Sequence, residues 1–157
     1  CMKLDFTELV LQTSAEYEEK FEERNLTEIQ HLPKEKALVY IDGRRTWRIL
    51  ANLYNNAAKY AMTGSRIYTD LKVTEGAVIF SIKNISEQPL NINADQLTER
   101  FIRGDISRST EGSGLGLSIA QTLTEMQKGK FELYLDGDLF KATVTFPKVQ
   151  EEQSTQI

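Results

Sequence analysis

One stretch of the chain carries its strongest structural signal: Trp47-Arg-Ile-Leu-Ala-Asn52-Leu-Tyr-Asn-Asn56-Ala-Ala-Lys59-Tyr60. Apolar residues recur within it at helical spacing, at Leu50, Leu53, Tyr54 and Ala57. Asp42 is suited to cap the start of such a helix with its carboxylate, and Thr63-Gly64 is suited to end it. The pattern therefore predicts one long amphipathic helix over residues 42–62.

A polar stripe runs along the same predicted helix. Asn52, Asn56, Lys59 and Tyr60 share one face, because residues three, four, seven and eight apart stack along a helix. The side-chain oxygen of Asn56 suits Mg²⁺, which takes few protein ligands when phosphates supply the rest. The ammonium of Lys59, one turn later, could meet a phosphate chain. The alternative is that the asparagines only form the wet side of an amphipathic helix.

A second informative segment is Gly112-Ser-Gly114-Leu-Gly116-Leu-Ser118, which leads into a helix predicted over residues 115–126. Helix N-termini bind phosphates through unpaired N–H groups, and glycines let the backbone approach closely. The segment lacks the Gly-Lys-Ser/Thr ending of a Walker loop, and no strand directly precedes it. Taken alone, it fits a flexible linker before a helix as well as it fits phosphate binding.

The rest of the chain predicts strands and turns around these two helices. Apolar runs predict strands at residues 27–31, 37–41, 66–74, 77–84, 131–135 and 139–146. Glu75-Gly76 and Asp136-Gly137 predict two hairpins. An acidic helix is predicted over residues 5–25, and a long polar segment over 85–112 contains a short helical piece at 94–101. This order predicts an α+β fold, a two-layer sandwich whose mixed, mostly antiparallel sheet has helices on one face.

Length and composition are typical of one globular domain. The chain has 157 residues, of which 40% are hydrophobic and 27% charged. Its net charge of −4 argues against broad nucleic-acid binding, which requires a basic face. No apolar run reaches the roughly 20 residues that span a bilayer. We predict a single domain over residues 1–150 and a frayed tail over residues 151–157.

In order and in residues, these segments resemble the ATP-binding catalytic domain of sensor histidine kinases, within the Bergerat-fold superfamily. Residues 52–60 resemble the N box of that family, residues 97–105 its F box and residues 112–117 its G2 box. The resemblance covers nearly the whole chain. It implies the Bergerat ATP-binding fold, with ATP and Mg²⁺ as cofactors.

The resemblance also implies roles for individual residues. Asn52, Asn56 and Lys59 correspond to catalytic positions, and Asn56 corresponds to the metal ligand. The implied nucleotide-binding residues are Tyr60, Asn84, Phe101, Arg103, Gly112, Gly114, Leu115 and Gly116. Hydrolysis is not expected, since ATP-hydrolysing relatives have a glutamate where Asn52 stands, and an amide cannot take a proton from water.

One box departs from the family pattern. The family places Asp-X-Gly-X-Gly after the second hairpin strand, and its aspartate binds the adenine amino group. Here Asn84 stands at the aspartate and Ser86 at the first glycine. An Asn oxygen can still accept from the amino group but brings no charge. Two functions stay open: a catalytic domain that transfers the γ-phosphoryl group of ATP to a histidine, and a non-catalytic docking module with a degraded pocket. A hydrolase of the same superfamily is a third, weaker alternative.

The resemblance implies that the chain is a fragment of a larger receptor. The phosphoryl acceptor of the family is a histidine on a helical dimerisation domain, and His31, the one histidine here, lacks that setting. The implied partners are a histidine-bearing dimerisation domain and a response regulator, with no nucleic acid and no direct membrane contact. The implied location is cytoplasmic, within a parent protein of the bacterial cell membrane.

Overall fold

The computed structural model describes residues 1–90 and 115–150, which form two sheets and four helices. The strands of this part are β1 (Met2–Asp5), β2 (Thr27–His31), β3 (Leu38–Ile41), β4 (Arg66–Val73), β5 (Ala77–Ile85), β6 (Lys130–Asp136) and β7 (Leu139–Pro147). The helices are α1 (Phe6–Glu16), α2 (Glu18–Glu23), α3 (Gly43–Tyr60) and α4 (Leu115–Met126).

The larger sheet has five strands in the order β2-β4-β5-β7-β6. Strand β2 runs parallel to β4, and the other neighbouring strands are antiparallel. The two predicted hairpins, β4–β5 and β6–β7, are both present. At the second turn Gly137 has a φ of 63°, a conformation that glycine adopts without steric cost. The prediction of a mixed, mostly antiparallel sheet is confirmed.

The core lies between the helices and one face of this sheet. Leu71, Phe80 and Val144 are neighbours in register on β4, β5 and β7, and none is more than 3% exposed. Phe6 of α1 packs on this layer, with ring centroids 6.1 Å from Phe80 and 6.0 Å from Phe146. Apolar burial of this kind is the main favourable term in folding. The predicted two-layer α+β sandwich is confirmed.

The N-terminal segment differs from the single helix predicted over residues 5–25. Strand β1, which was not predicted, pairs with β3 in a second, two-stranded sheet, and α1 begins at Phe6, one residue after the predicted start. The helix then breaks at Tyr17. The break allows both Tyr17 and Phe21 to pack against Tyr54, each with ring centroids 5.9 Å apart. A four-residue strand is too short for its alternation to be distinguished from a helix start.

Helices α3 and α4 form an antiparallel pair. The side-chain oxygen of Gln127, directly after α4, accepts the backbone N–H of Asp42 at 2.7 Å. Its amide nitrogen donates to the hydroxyl of Thr46 at 3.1 Å. At the other end of the pair, Gly116 lies against Asn52. The N-terminus of α4 therefore meets the middle of α3, and its C-terminus meets the start of α3.

Helix α4 ends at Met126, as the sequence predicts, but Gly129, the residue type that most favours a helix stop, does not form the left-handed turn that follows. Lys128 takes the left-handed conformation, with a φ of 65°, and the N–H groups of Lys128 and Gly129 bond back to the last turn. Gly129 is needed for space, because a Cβ there would lie 2.6 Å from the ring of Phe146. The predicted cap at the start of α3 is confirmed, since Asp42 accepts the backbone N–H of Arg45 at 3.0 Å.

Candidate nucleotide-binding site

The polar stripe predicted from the sequence lies along one side of α3. Asn52, Asn56 and Tyr60 are half-buried and Lys59 is exposed. Of the residues between them, Asn55 is half-buried and the others are buried: Leu53, Tyr54, Ala57 and Ala58. The stripe thus lies at the boundary between the core and the solvent, where side chains can line a pocket.

The amide of Asn52 contains a buried donor. Its Nδ2 atom is shielded from solvent and makes no hydrogen bond within residues 1–90 and 115–150. An unsatisfied buried N–H group costs about 1–3 kcal/mol, and native proteins usually supply an acceptor. A ligand oxygen at this position would satisfy the amide of Asn52.

The first turn of α4 approaches Asn52 closely. A Cβ atom on Gly116 would lie 3.5 Å from the Cβ of Asn52 and 3.7 Å from its Cγ. The first N–H groups of a helix have no partner within the helix and carry partial positive charge. Because α3 and α4 are antiparallel, the part of α3 that follows Asn52 extends past the start of α4. Asn56 and Lys59 lie on that part.

The end of β5 forms a further side of the site. Asn84 is 3% exposed and belongs to the inner face of the sheet, and Ser86 is 6% exposed. Ser86 forms an isolated antiparallel bridge with Ala61, and the N–H of Met62 donates to the carbonyl of Ile85 at 2.8 Å. These main-chain contacts join the end of α3 to the end of β5. Asn84 is therefore near the last turn of α3.

Tyr54 fixes α3 to the sheet on the side opposite the stripe. Its hydroxyl donates to a carboxylate oxygen of Glu28 at 2.7 Å, and Thr69 donates to the same oxygen at 2.7 Å. Burial raises the pKa of Tyr54 strongly, and the neighbouring Glu28 raises it further. The phenol therefore stays neutral and acts as a donor. This contact sets the position of α3 against β2 and β4.

Some predicted site residues lie outside the described residues: Phe101, Arg103, Gly112 and Gly114. The short helix predicted at 94–101 lies outside them as well. Leu115 is the first residue of α4. Within the described part, Gly116 lies against Asn52, and Asn84 lies near the last turn of α3.

One residue near the site gave no signal in the sequence. Arg24 follows α2, and its guanidinium reaches the last turn of α3 and Glu87. An arginine in an acidic helical segment is indistinguishable from a solvated surface charge. Only the contacts of Arg24 with distant parts of the chain distinguish it from such a surface charge.

Comparison with known proteins identifies the family. The family model of histidine kinase-, DNA gyrase B- and HSP90-like ATPases matches residues 41–154. The match covers most of the chain, which therefore belongs to this family.

Individual relatives within this family are sensor kinases. Histidine protein kinase SaeS of Staphylococcus aureus is 30% identical over 152 residues, covering 93% of this chain and 43% of the relative. Sensor histidine kinase WalK of Bacillus subtilis is 26% identical over 141 residues, covering 86% and 23%. Adaptive-response sensory kinase SasA of Thermosynechococcus vestitus is 28% identical over 133 residues, covering 82% and 34%. The chain spans less than half the length of each.

Solved structures agree on the fold. The catalytic domain of histidine kinase ThkA, in a nucleotide-free form, superposes with a TM-score of 0.80 at 24% identity, covering 94% of this chain and 95% of that domain. The mycobacterial sensor histidine kinase MprB gives 0.73 at 22% identity, with 93% and 97% covered. The alternative of a non-catalytic docking module finds no support in these comparisons.

No helix in the described part combines the length and apolar character needed to cross a membrane.

Proposed function

We propose that the chain is the ATP–Mg²⁺-binding catalytic domain of a two-component sensor histidine kinase. It transfers the γ-phosphoryl group of ATP to a histidine on a separate dimerisation domain. The observation that carries this proposal is the contact between the first turn of α4 and Asn52, whose buried Nδ2 has no acceptor in the described part. Membership of the ATPase family supports it.

The phosphate side of the proposed site lies between the start of α4 and the stripe of α3. Asn52 Nδ2 donates to a phosphate oxygen, and the backbone N–H groups at the start of α4 bind the phosphates. The Asn56 oxygen coordinates Mg²⁺, and Lys59 offsets phosphate charge. Phosphoryl transfer relies mainly on positioning and charge stabilisation, which these groups provide. An amide at position 52 favours transfer over hydrolysis.

The base side of the proposed site lies at the end of β5. The amide of Asn84, which is almost fully buried, accepts from the amino group of adenine. Tyr60 packs near the base or the ribose. The remaining proposed nucleotide-binding residues are Phe101, Arg103, Gly112, Gly114, Leu115 and Gly116.

The partners follow from the same proposal. The acceptor histidine belongs to a dimerisation domain of the parent receptor, and the phosphoryl group passes on to a response regulator. His31 is not the acceptor, since its exposed ring lies on a strand of the sheet, 3.7 Å from the carboxylate of Asp70. We propose that the domain works on the cytoplasmic side of a bacterial membrane receptor.

Titration with a fluorescent ATP analogue, with and without Mg²⁺, tests the proposal. The unchanged chain should bind the analogue with Mg²⁺, and Asn56→Ala should weaken that binding by about tenfold or more, equivalent to about 1.4 kcal/mol. Asn55→Ala is the matched control, because Asn55 is a half-buried asparagine beside Asn56 to which the proposal assigns no contact with the nucleotide or the metal. Equal affinities for Asn56→Ala and Asn55→Ala would contradict the role of Asn56. Steady phosphate release without an acceptor domain would instead indicate a hydrolase.

A further inference from the structure

Arg24 follows α2 and extends its side chain to the end of α3. Its Nη1 atom donates to the carbonyl oxygens of Ala58 at 2.6 Å and Lys59 at 3.0 Å. Carbonyl groups in the last turn of a helix have no partner within the helix, and a cation there also meets the negative end of the helix dipole. Arg24 therefore binds the last turn of α3 from outside that helix.

The other nitrogen of the same guanidinium binds a second part of the chain. Its Nη2 atom donates to the Thr63 hydroxyl at 3.0 Å and to a carboxylate oxygen of Glu87 at 2.5 Å. The N–H of Glu87 donates to the carbonyl of Tyr60 at 2.8 Å. The side chain of Arg24 is 26% exposed, so this contact is partly shielded from water. One planar group thus fastens the segment after β5 to the end of α3.

The local structure around Arg24 holds its backbone in place. Asn25 takes the left-handed conformation, with a φ of 56°, and the N–H of Leu26 donates to the carbonyl of Phe21 at 2.8 Å. This is a Schellman ending, in which the residue after the cap reverses the chain. Phe21 and Leu26 are both buried, which anchors the turn. Arg24 is therefore presented to α3 by a well-packed turn.

The two parts that Arg24 joins each carry a proposed nucleotide contact. Lys59 and Tyr60 lie in the last turn of α3, and Asn84 precedes Glu87 by three residues. A partly exposed ion pair adds little to folding stability, but a guanidinium that spans two elements fixes their spacing. We infer that Arg24 is a positioning residue for the nucleotide: it holds the base side of the site at the correct distance from α3. The inference rests on the proposed function.

The test is nucleotide affinity in single and double variants of the chain, measured with a fluorescent ATP analogue and Mg²⁺. Arg24→Ala should weaken binding about tenfold. Arg24→Lys should recover only part of the loss, because one ammonium cannot span both elements. Glu87→Ala should weaken binding less than Arg24→Ala. The double variant should bind the analogue more weakly than Arg24→Ala does. This additional loss should be smaller than the loss that Glu87→Ala causes alone, because the two residues act through one contact.

Trp47→Phe supplies the matched control. It removes the hydrogen bond of 2.7 Å from Trp47 Nε1 to Glu16, which ties the start of α3 to α1. This variant should lower the unfolding temperature without changing nucleotide affinity. In phosphotransfer to a supplied acceptor domain, Arg24→Lys should raise the KM for ATP while kcat at saturating ATP is kept.

Three outcomes would overturn the inference: a folded Arg24→Ala that binds as tightly as the unchanged chain, an equal loss in Trp47→Phe, or an Arg24→Lys with unchanged KM. If Arg24→Ala does not fold, the KM of Arg24→Lys for ATP tests the inference instead. Failure of the unchanged chain to bind the analogue would instead refute the proposed function itself.

Discussion

Gly116 of α4 lies directly against Asn52 of α3, at a distance where an added Cβ would meet Asn52 Cβ at 3.5 Å. The contact brings the positive end of one helix to an amide on another, and the amide keeps a buried donor with no acceptor in the described part. A buried donor without an acceptor lowers the stability of the folded protein. A ligand oxygen that accepts a hydrogen bond from this donor would explain the arrangement.

Replacing Asn52 should therefore separate stability from binding. Asn52→Leu has a similar branched shape and removes the unsatisfied donor, so the free energy of unfolding should stay the same or rise by about 1 kcal/mol. Nucleotide affinity should fall about tenfold or more, because the phosphate contact is lost. Urea unfolding and analogue titration on the same sample measure both quantities. A large loss of stability with normal affinity would show that Asn52 is only structural.

Gly129 should not tolerate a larger side chain. A Cβ there would lie 2.6 and 2.8 Å from atoms of the Phe146 ring and 2.9 Å from Thr124 Cγ2, all closer than real contacts allow. Both neighbours are buried, so Gly129→Ala should destabilise the fold by about 1–3 kcal/mol. Lys128→Gly is the control, and it should stabilise by about 1 kcal/mol because it relieves a left-handed lysine. Denaturant midpoints compare the two.

The stability of the protein should depend on Tyr54 at alkaline pH. Burial, aided by Glu28, raises the folded pKa of Tyr54 above its ordinary value of 10.0. Above pH 10 the unfolded chain therefore loses a proton that the folded chain keeps, and stability falls as pH rises. Tyr54→Phe should flatten this fall, while Tyr134→Phe, on an exposed phenol, should not. Urea unfolding between pH 8 and 11 gives the slopes, and parallel curves for Tyr54→Phe and the unchanged chain would refute the expectation.

The sequence was informative where a signal is local. The period of α3 and the turn chemistry of Glu75-Gly76 and Asp136-Gly137 involve residues close in the chain, and these elements are present in the structure. Strand β1 was missed because its four residues are too few for alternation to be distinguished from the start of the helix that follows. The left-handed Lys128 was missed because its neighbour Gly129 is the better candidate by conformational preference alone.

The candidate site could likewise be predicted from the sequence only in part. The spacing of Asn52, Asn56 and Lys59 on one helix face is a property of the sequence. The approach of Gly116 to Asn52 depends on how α3 and α4 dock, which Gln127 helps to set from the far end. Arg24 could not be found in this way, because its importance lies in contacts with residues more than thirty positions away.

The cap of α3 should contribute to the free energy of unfolding at neutral pH, and this contribution should disappear in acid. The Asp42 carboxylate accepts the backbone N–H of Arg45, which is the main reason that its pKa is lowered from the ordinary 3.8. A lowered folded pKa stabilises the fold above pH 3.8, and the contribution disappears as pH falls through the folded pKa. Asp42→Ala should therefore lower the urea midpoint at pH 7 and have a much smaller effect near pH 2. Asp42→Asn, which keeps a capping oxygen without a charge, should show a smaller loss at pH 7 and little dependence on pH. An Asp42→Ala effect that is equal at both pH values would show that the charged carboxylate does not matter to the cap.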